Sequence, residues 1–414
     1  MREMKDSGIE WVGAIPQDWQ LSKIGSLYTQ RNEKVSDKDY QPLSVTMQGI
    51  LPQLATAAKT NDGDNRKLVR VGDFAINSRS DRRGSCGISP LDGSVSLINI
   101  ILTPRTAMHP GYYNWLFHTT LFADEFYKWG HGIVADLWTT RWQEMKSITV
   151  PVPEYAEQER IAAFLDAECA EIDAVLEKTR ASIEEYKKLK QAVITQAVTK
   201  GVRGDRPMKD SGIEWIGDIP AEWDVLNLVA HTSMLTPMRD RPENLDGPIP
   251  WVRIEDFEGK YIESSKAGLG VSMKTVKEMN LKVYPVGTIL CTSSCIMGKC
   301  AIVSRELVSN QRFIGIIPDQ TTDKTYLYYL MTSNAERMNF LSTGALQANL
   351  SRSAFEHLKV QFPPYSEQQE IAAYLDDKCE KIDELILKKQ QYLTEIENYK
   401  KSLIYEYVTG KREV

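Results

Sequence analysis

Eight residues of this chain occur twice, letter for letter. Met4-Lys5-Asp6-Ser7-Gly8-Ile9-Glu10-Trp11 returns as Met208-Lys209-Asp210-Ser211-Gly212-Ile213-Glu214-Trp215. With Gly13/Gly217, Ile15/Ile219, Pro16/Pro220 and Trp19/Trp223, identity reaches 12 of 16 positions over 4–19 and 208–223, at a constant offset of 204. A second repeat runs at offset 210. Glu157-Gln158, Ile161-Ala162-Ala163, Leu165-Asp166, Cys169 and Ile172-Asp173 return as Glu367-Gln368, Ile371-Ala372-Ala373, Leu375-Asp376, Cys379 and Ile382-Asp383, and Val198-Thr199 returns as Val408-Thr409. A chain so duplicated folds as two like halves, each with a repeated leader, a variable block and a repeated closing segment.

The closing segments have the pattern of long helices. Over 155–198 the apolar positions Ile161, Leu165, Cys169, Ile172, Leu176, Ile183, Tyr186, Val193 and Ala197 fall three and four apart, with no Gly or Pro in the stretch. The second copy places Ile371, Leu375, Cys379, Ile382, Ile386, Leu393, Ile396, Leu403 and Tyr407 in the same way. A helix of about 44 residues is about 66 Å long and cannot bury its stripe on one small domain. A partner helix of equal length can bury it, and the other half supplies one, which predicts a coiled coil. The alternative is two independent amphipathic helices, each lying on its own domain.

In the variable blocks, the Val/Ile-rich runs Leu68–Ile76, Val95–Leu102, Val286–Leu290 and Phe313–Ile317 read as strands. Helical patches follow near Tyr112–Tyr127 and Tyr326–Phe340, and Gly87 and Gly298 mark hairpin turns or close backbone approaches. The expected fold class is α+β: two α/β domains with mixed sheets, joined by two long antiparallel helices about an internal pseudo-twofold. The boundaries expected are 1–152, 153–204, 205–362 and 363–414.

At about 150 residues per domain, 414 residues make two to three domains. With 42% hydrophobic and 26% charged residues the composition is that of a globular chain. No apolar run of about 18 residues suggests a membrane span, and the polar start Met1–Asp6 does not read as a secretory leader, so a cytoplasmic protein is expected. Six cysteines in 414 residues do not form a disulfide scaffold.

The net charge of −6 hides a segregation. Residues 20–153 hold 15 Lys+Arg against 12 Asp+Glu, and 225–362 hold 15 against 13, so the rest of the chain carries −11. Within the first basic block, Asn77-Ser78-Arg79-Ser80-Asp81-Arg82-Arg83-Gly84-Ser85 joins guanidinium forks to hydroxyls. Arg79, Ser80, Arg82, Arg83 and Ser85 are candidates for crossing phosphates and reaching a guanine edge. The corresponding stretch in the second block, 291–299, offers Ser293, Ser294 and Lys299. A second stretch closes each block, with Thr139 and Arg141 in the first and Gln347, Asn349 and Arg352 in the second. An amide there can pair with adenine and an arginine with guanine or phosphate. Solvated basic turns are the alternative for the loops. For Asn349 and Ser351 the alternative is helix capping.

Several catalytic motifs are missing. Gly298-Lys299 is followed by Cys300 and lacks the upstream Gly of a phosphate-binding loop. Phe362-Pro363-Pro364-Tyr365 has Phe where an amino-methyltransferase needs Asp or Asn to hold the target amine. Pro318-Asp319 is not followed at a natural distance by the Asp/Glu-x-Lys of a nuclease core. The five histidines lack metal spacing, Cys291, Cys295 and Cys300 contain no Cys-x-x-Cys, and Cys169 and Cys379 fall on the helix stripes as core residues.

The framing residues resemble the specificity subunit of type I restriction-modification systems. The resemblance rests on the leader Asp-Ser-Gly-Ile-Glu-Trp-x-Gly-x-Ile-Pro-x-x-Trp at 6–19 and 210–223, and on Pro-x-x-x-Glu-Gln-x-x-Ile-Ala from Pro153 and Pro363. It implies that each variable domain reads one half of a split, asymmetric site in double-stranded DNA, with the helix pair setting the spacer. Two modification (methyltransferase) subunits and two restriction (motor-nuclease) subunits would assemble on the frame. S-adenosylmethionine, ATP and Mg²⁺ would be used by those partners for adenine N6 methylation and cleavage, and this chain would bind no cofactor or metal and catalyse nothing. Trp11, Trp19, Trp215 and Trp223 are candidate docking points for the methyltransferase, with local core as the alternative. Two other readings stay open: a scaffold binding acidic protein partners, and a fused restriction-methylation fragment with an unseen catalytic centre.

Overall fold

The computed structural model describes residues 2–53, 63–132, 138–238, 240–294, 298–341 and 350–414. They form two compact units, Met1–Arg180 with Gln390–Val414, and Ala181–Lys389.

In the first unit the leader is a hairpin, Met4–Asp6 against Ala14–Pro16. A four-stranded sheet follows, in the order Cys86–Ile88, Phe74–Asn77, Asn99–Pro104, Tyr28–Arg31. All its pairings are antiparallel, which corrects the expected mixed sheet for this half. The sheet is covered on both faces, which is why its central strands Phe74–Asn77 and Asn99–Pro104 lie in apolar runs. Phe74, Ile76, Ile100 and Leu102 pack toward Tyr112, Tyr113 and Phe117 of helix Pro110–Phe117. The alternate residues Ala75 and Ile101 pack with Val69 and Val95 of a smaller sheet. The apparent strand 68–76 is therefore two, Arg66–Val69 and Phe74–Asn77, divided at Gly72, whose φ of 87° makes the turn.

The second unit builds the same frame from a different sequence. Its sheet runs Thr232–Leu235, Phe313–Pro318, Ile289–Thr292, Cys300–Val303, Tyr261–Ile262, and the added edge strand pairs in parallel, so this half is mixed. Ile289, Cys291, Ile314 and Ile316 face helix Lys324–Ser333, while Leu290 and Phe313 face the opposite core. Gly87 and Gly298 are both close approaches: a Cβ at Gly87 would lie 2.9 Å from the Gly49 Cα, and one at Gly298 would lie 2.4 Å from the Ala335 Cα. Cys291 lies opposite Cys300 across two strands as a free, buried thiol, and burial pushes the Cys169 thiol up to about 11.

The long helices are Tyr155–Lys200 and Tyr365–Val408. Within the first unit their segments run antiparallel: Phe164 meets Tyr407 at 4.5 Å, and Lys400 donates to Asp173 at 2.6 Å. Within the second, Lys190 pairs with Asp383 at 2.6 Å, and the Lys389 ammonium lies 5.7 Å from the Tyr186 ring centre. The stripe residues Ile161, Leu165, Leu403 and Tyr407 enter the core of the first unit, and Ala197, Ile371, Leu375 and Cys379 enter that of the second.

The repeated residues fasten each leader to the start of a long helix. Glu157 accepts from Trp19 Nε1 at 3.0 Å and pairs with Arg2, whose guanidinium lies over the Trp19 ring. Glu367 accepts from Trp223 Nε1 at 3.1 Å and pairs with Arg206 at 2.6 Å, with Arg206 over the Trp223 ring. The neighbouring glutamines do a second task. Gln158 accepts from His109 N and donates to Pro153 O, and Gln368 accepts from Asp323 N and donates to Pro363 O, each holding the start of the helix behind its sheet. Pro363 thus serves as a backbone anchor.

This corrects the docking role expected of three tryptophans. Trp11, Trp19 and Trp223 are 6%, 1% and 0% exposed, so their rings belong to the cores. Trp215 is 42% exposed, with the Arg337 guanidinium 3.8 Å from its ring centre.

Candidate nucleic-acid interface

In the first unit two of the candidate stretches meet at one backbone residue. Strand Phe74–Asn77 ends in a loop whose Ser78 carbonyl accepts from Thr140 N at 3.0 Å, while Ser78 N donates to Ile98 O at 3.3 Å. Ser80 N donates to Trp138 O, and Arg79 bridges Thr139. Three segments, 77–85, 96–98 and 138–141, are therefore sewn together at Ser78.

The second unit repeats the seam at Ser293. Ser293 N donates to Arg312 O at 2.8 Å, and the Ser293 carbonyl accepts from Leu350 N at 2.9 Å. The loop behind it closes alike in both halves, by Asn77 N to Ser85 O and by Thr292 N to Lys299 O. All these bonds are backbone to backbone, so side chains on the three loops can change without loosening the frame. Ser293, Ser294 and Arg352 line one open cleft of about 490 Å³ with Gln311, Arg312 and Leu350.

The side chains do not all take the places expected of them. Arg82 is exposed, 3.7 Å from Asp81, and Arg79 is half-buried beside Thr139. Arg83 is turned to the helix Thr120–Lys128, where it pairs with Asp124 and lies over the Tyr127 ring. Ser80 is half-buried, and Ser85 is buried at the root of the loop, which corrects its expected place on the surface. The Tyr127 hydroxyl donates to Asn77 O and burial raises its pKa, keeping it a neutral donor under the loop. Arg141 is exposed, and its backbone N–H donates to Glu144 at the start of helix Trp142–Met145.

In the second unit Arg352 donates to Glu356 at 2.7 Å, and Ser351 caps this helix by accepting from Ala354 N, the capping alternative. Lys299 is exposed but lines a different groove, beside Lys260 and Tyr329. Gln347 and Asn349 lie outside the described residues. The third segment of each seam is absent from the expectations drawn from sequence. In the second unit that segment is the exposed pair Gln311-Arg312, and its signal was a polar triplet, Asn310-Gln311-Arg312, wedged against the apolar run from Phe313.

Among the described residues no group of three or more His, Cys, Asp and Glu could hold a metal ion. Among the same residues no helix is long and apolar enough to cross a membrane.

Residues 224–398 match the type I restriction modification DNA specificity domain. The chain is 36% identical over 176 residues to the type I restriction enzyme MjaIX specificity subunit of Methanocaldococcus jannaschii, covering 40% of each chain. Residues 224–398 thus resemble a type I DNA specificity domain, and the chain as a whole is similar to type I specificity subunits. A second relative from that organism, the MjaVIII specificity subunit, is 22% identical over 97% of this chain and 94% of its own. The alignments span 40% of the MjaIX subunit and 61% of the putative MjaX subunit of the same organism. The fold is shared with a chain solved in work on the assembly and conformational transition of a type I R-M system (TM-score 0.76, 13% identity, 96% and 99% of the two chains covered). It is also shared with the HsdS subunit of Thermoanaerobacter tengcongensis (TM-score 0.52, 15% identity, 96% and 98% covered).

Proposed function

We propose that this chain is the sequence-reading subunit of a type I restriction-modification complex. Each unit takes one half of a split, asymmetric duplex site on its three-loop edge, and the long helices set the spacer. The single observation that carries the reading is the seam built twice, at Ser78 and at Ser293, with different exposed side chains hung on one backbone frame. Two domains reading different sequences require that combination. Phosphate contacts from Arg82 and Arg141 would supply much of the affinity, and base contacts through Arg79 the discrimination.

Chemistry in this reading belongs to partners: two modification subunits transferring methyl groups from S-adenosylmethionine to adenine N6, and two restriction subunits using ATP and Mg²⁺. This chain binds none of these cofactors and contributes recognition alone. Of the tryptophans, Trp215 keeps a place for partner docking, since its ring reaches the surface.

Methylation mapping in a host that expresses the chain with its modification partner tests the proposal. The expected result is one bipartite motif with a fixed spacer, together with no methyl transfer or cutting by the purified chain given DNA, S-adenosylmethionine and Mg²⁺. Methylation without a split motif, or activity of the chain alone, overturns it.

A further inference from the structure

The second unit has a cleft rich in arginine beside the one lined by Ser293 and Ser294. It measures about 380 Å³ and is lined by Arg241, Arg253 and Arg312 against the carboxylates Asp240 and Glu255, with Trp251 and Gln311 among its other walls. Gln311 and Arg312 stand at the tip of the turn between strands Val308–Ser309 and Phe313–Pro318, and Arg312 also lines the neighbouring cleft with Ser293 and Ser294. No ion pair is formed by Arg312 among the described residues.

The turn is held on every side. Asn310 N donates to Val252 O at 3.3 Å, Arg312 N donates to Asn310 Oδ1 at 3.1 Å, and Arg312 O accepts from Ser293 N. A buried hydroxyl contact between Tyr284 and Ser309, at 3.1 Å, fixes the strand leading in. Two long polar side chains thus project from a rigid tip, which lowers the ordering cost of using them. Behind them Arg253 is half-buried, 3.0 Å from Glu255 but with its Nε buried and unbonded among the described residues, and the Arg241 guanidinium lies 5.8 Å from the Trp251 ring centre.

We propose that the Gln311-Arg312 turn is the base-reading element of the second unit, with Arg241 and Arg253 gripping the phosphate backbone beside it. Glutamine presents an acceptor and a donor that match adenine N7 and N6, and arginine presents a fork that matches guanine O6 and N7. Adjacent in sequence, the pair suits two neighbouring base pairs in a major groove. The equivalent turn in the first unit is Ser96-Leu97-Ile98, with no such group, so the assignment is peculiar to the second half-site.

The inference rests on the DNA-reading role proposed above, and the test separates the two. The full chain, assembled with its modification partner, is assayed by methylation mapping and by salt-dependent retention of duplexes carrying the mapped site. Arg312→Ala is expected to cut modification of that site about ten- to hundredfold and to relax base preference at one position of one half-site, the other half unchanged. Arg312→Lys keeps the charge and loses the fork, so it should relax the same position while leaving the salt slope intact. Arg253→Ala should weaken retention uniformly across sequences, with a slope shallower by about one. If the wild-type assembly has no split motif, the functional reading fails. If it has one and Arg312→Ala and Arg312→Lys leave both half-sites as they were, or weaken them equally, the assignment to this turn fails while the reading stands.

Discussion

The two units spend their positive charge on different loops. In the first, Arg79, Arg82 and Arg83 crowd the segment after strand Phe74–Asn77, while the turn at 96–98 ends in Leu97 and Ile98. In the second, the segment after Ile289–Thr292 begins with two buried serines, and the turn at 310–312 carries Gln311 and Arg312 in the open. The backbone bonds at Ser78 and Ser293 are nonetheless the same. A frame closed by main-chain bonds and by alternating core residues leaves its loop side chains free. Recognition can then migrate from one loop to its neighbour while the sheet stays put.

If that is right, damage to the frame should cost both units alike. Trp19→Ala and Trp223→Ala each remove a fully buried ring and its bond to a carboxylate. Each is expected to destabilise its unit by about 3–5 kcal/mol in urea unfolding. A large loss in one half and a trivial loss in the other would break the equivalence of the two clasps.

The carboxylates sharpen the same comparison. The Glu367 side chain is 0% exposed and that of Glu157 is 15%, while Arg2 has Asp18 as a second partner. Glu367→Gln removes a fully buried charge that faces both Arg206 and Arg203, leaves Arg206 only the exposed carboxylate of Glu222, and should cost about 3 kcal/mol. Each arginine keeps a second carboxylate, Asp18 or Glu222, but Glu157→Gln should cost clearly less because water reaches the Glu157 side chain and not that of Glu367. Equal losses in thermal unfolding would show that burial does not set the difference.

Much of this was legible in the chain. The doubled leader and the gapless three-and-four stripes carry the two-unit plan and both long helices, because periodicity is a local property. The cuts inside the apolar runs were not legible: Leu68–Ile76 reads as one strand, since nothing but Gly72 signals the turn. Trp19 and Trp223 read equally well as surface or core, and only Glu157 and Glu367, each more than a hundred residues further along the chain, decide the matter. Gln311-Arg312 was overlooked because a polar turn before a strand is ordinary in sequence. Its meaning comes from Ser293, which reaches it only in three dimensions.

The reading loops should respond one unit at a time. Arg79→Ala is expected to relax a single half-site by about 1–3 kcal/mol and leave the other as it was, measured as methylation of paired variant sites by the assembled complex. Arg82→Ala, at a more exposed position than Arg79, should act more through affinity and salt dependence. Equal loss on both halves after Arg79→Ala would contradict independent heads.

The smallest effects are expected along the helices, and they probe the repeat most directly. Lys190 pairs with Asp383 in the second unit and Lys400 with Asp173 in the first; both distances are 2.6 Å, and the partners correspond residue for residue at offset 210. The lysine side chains are 31% and 22% exposed and the aspartates more than half exposed, so solvent screens each pair heavily. Double-mutant cycles should give about 0.2–1 kcal/mol for each, falling together as salt is raised. Because the two bridges share chemistry, distance and exposure, their coupling energies should agree to about 0.5 kcal/mol. A bridge that couples in one unit and not in the other would mean that the stripes around it, and not the repeated charges, govern how the helices meet there.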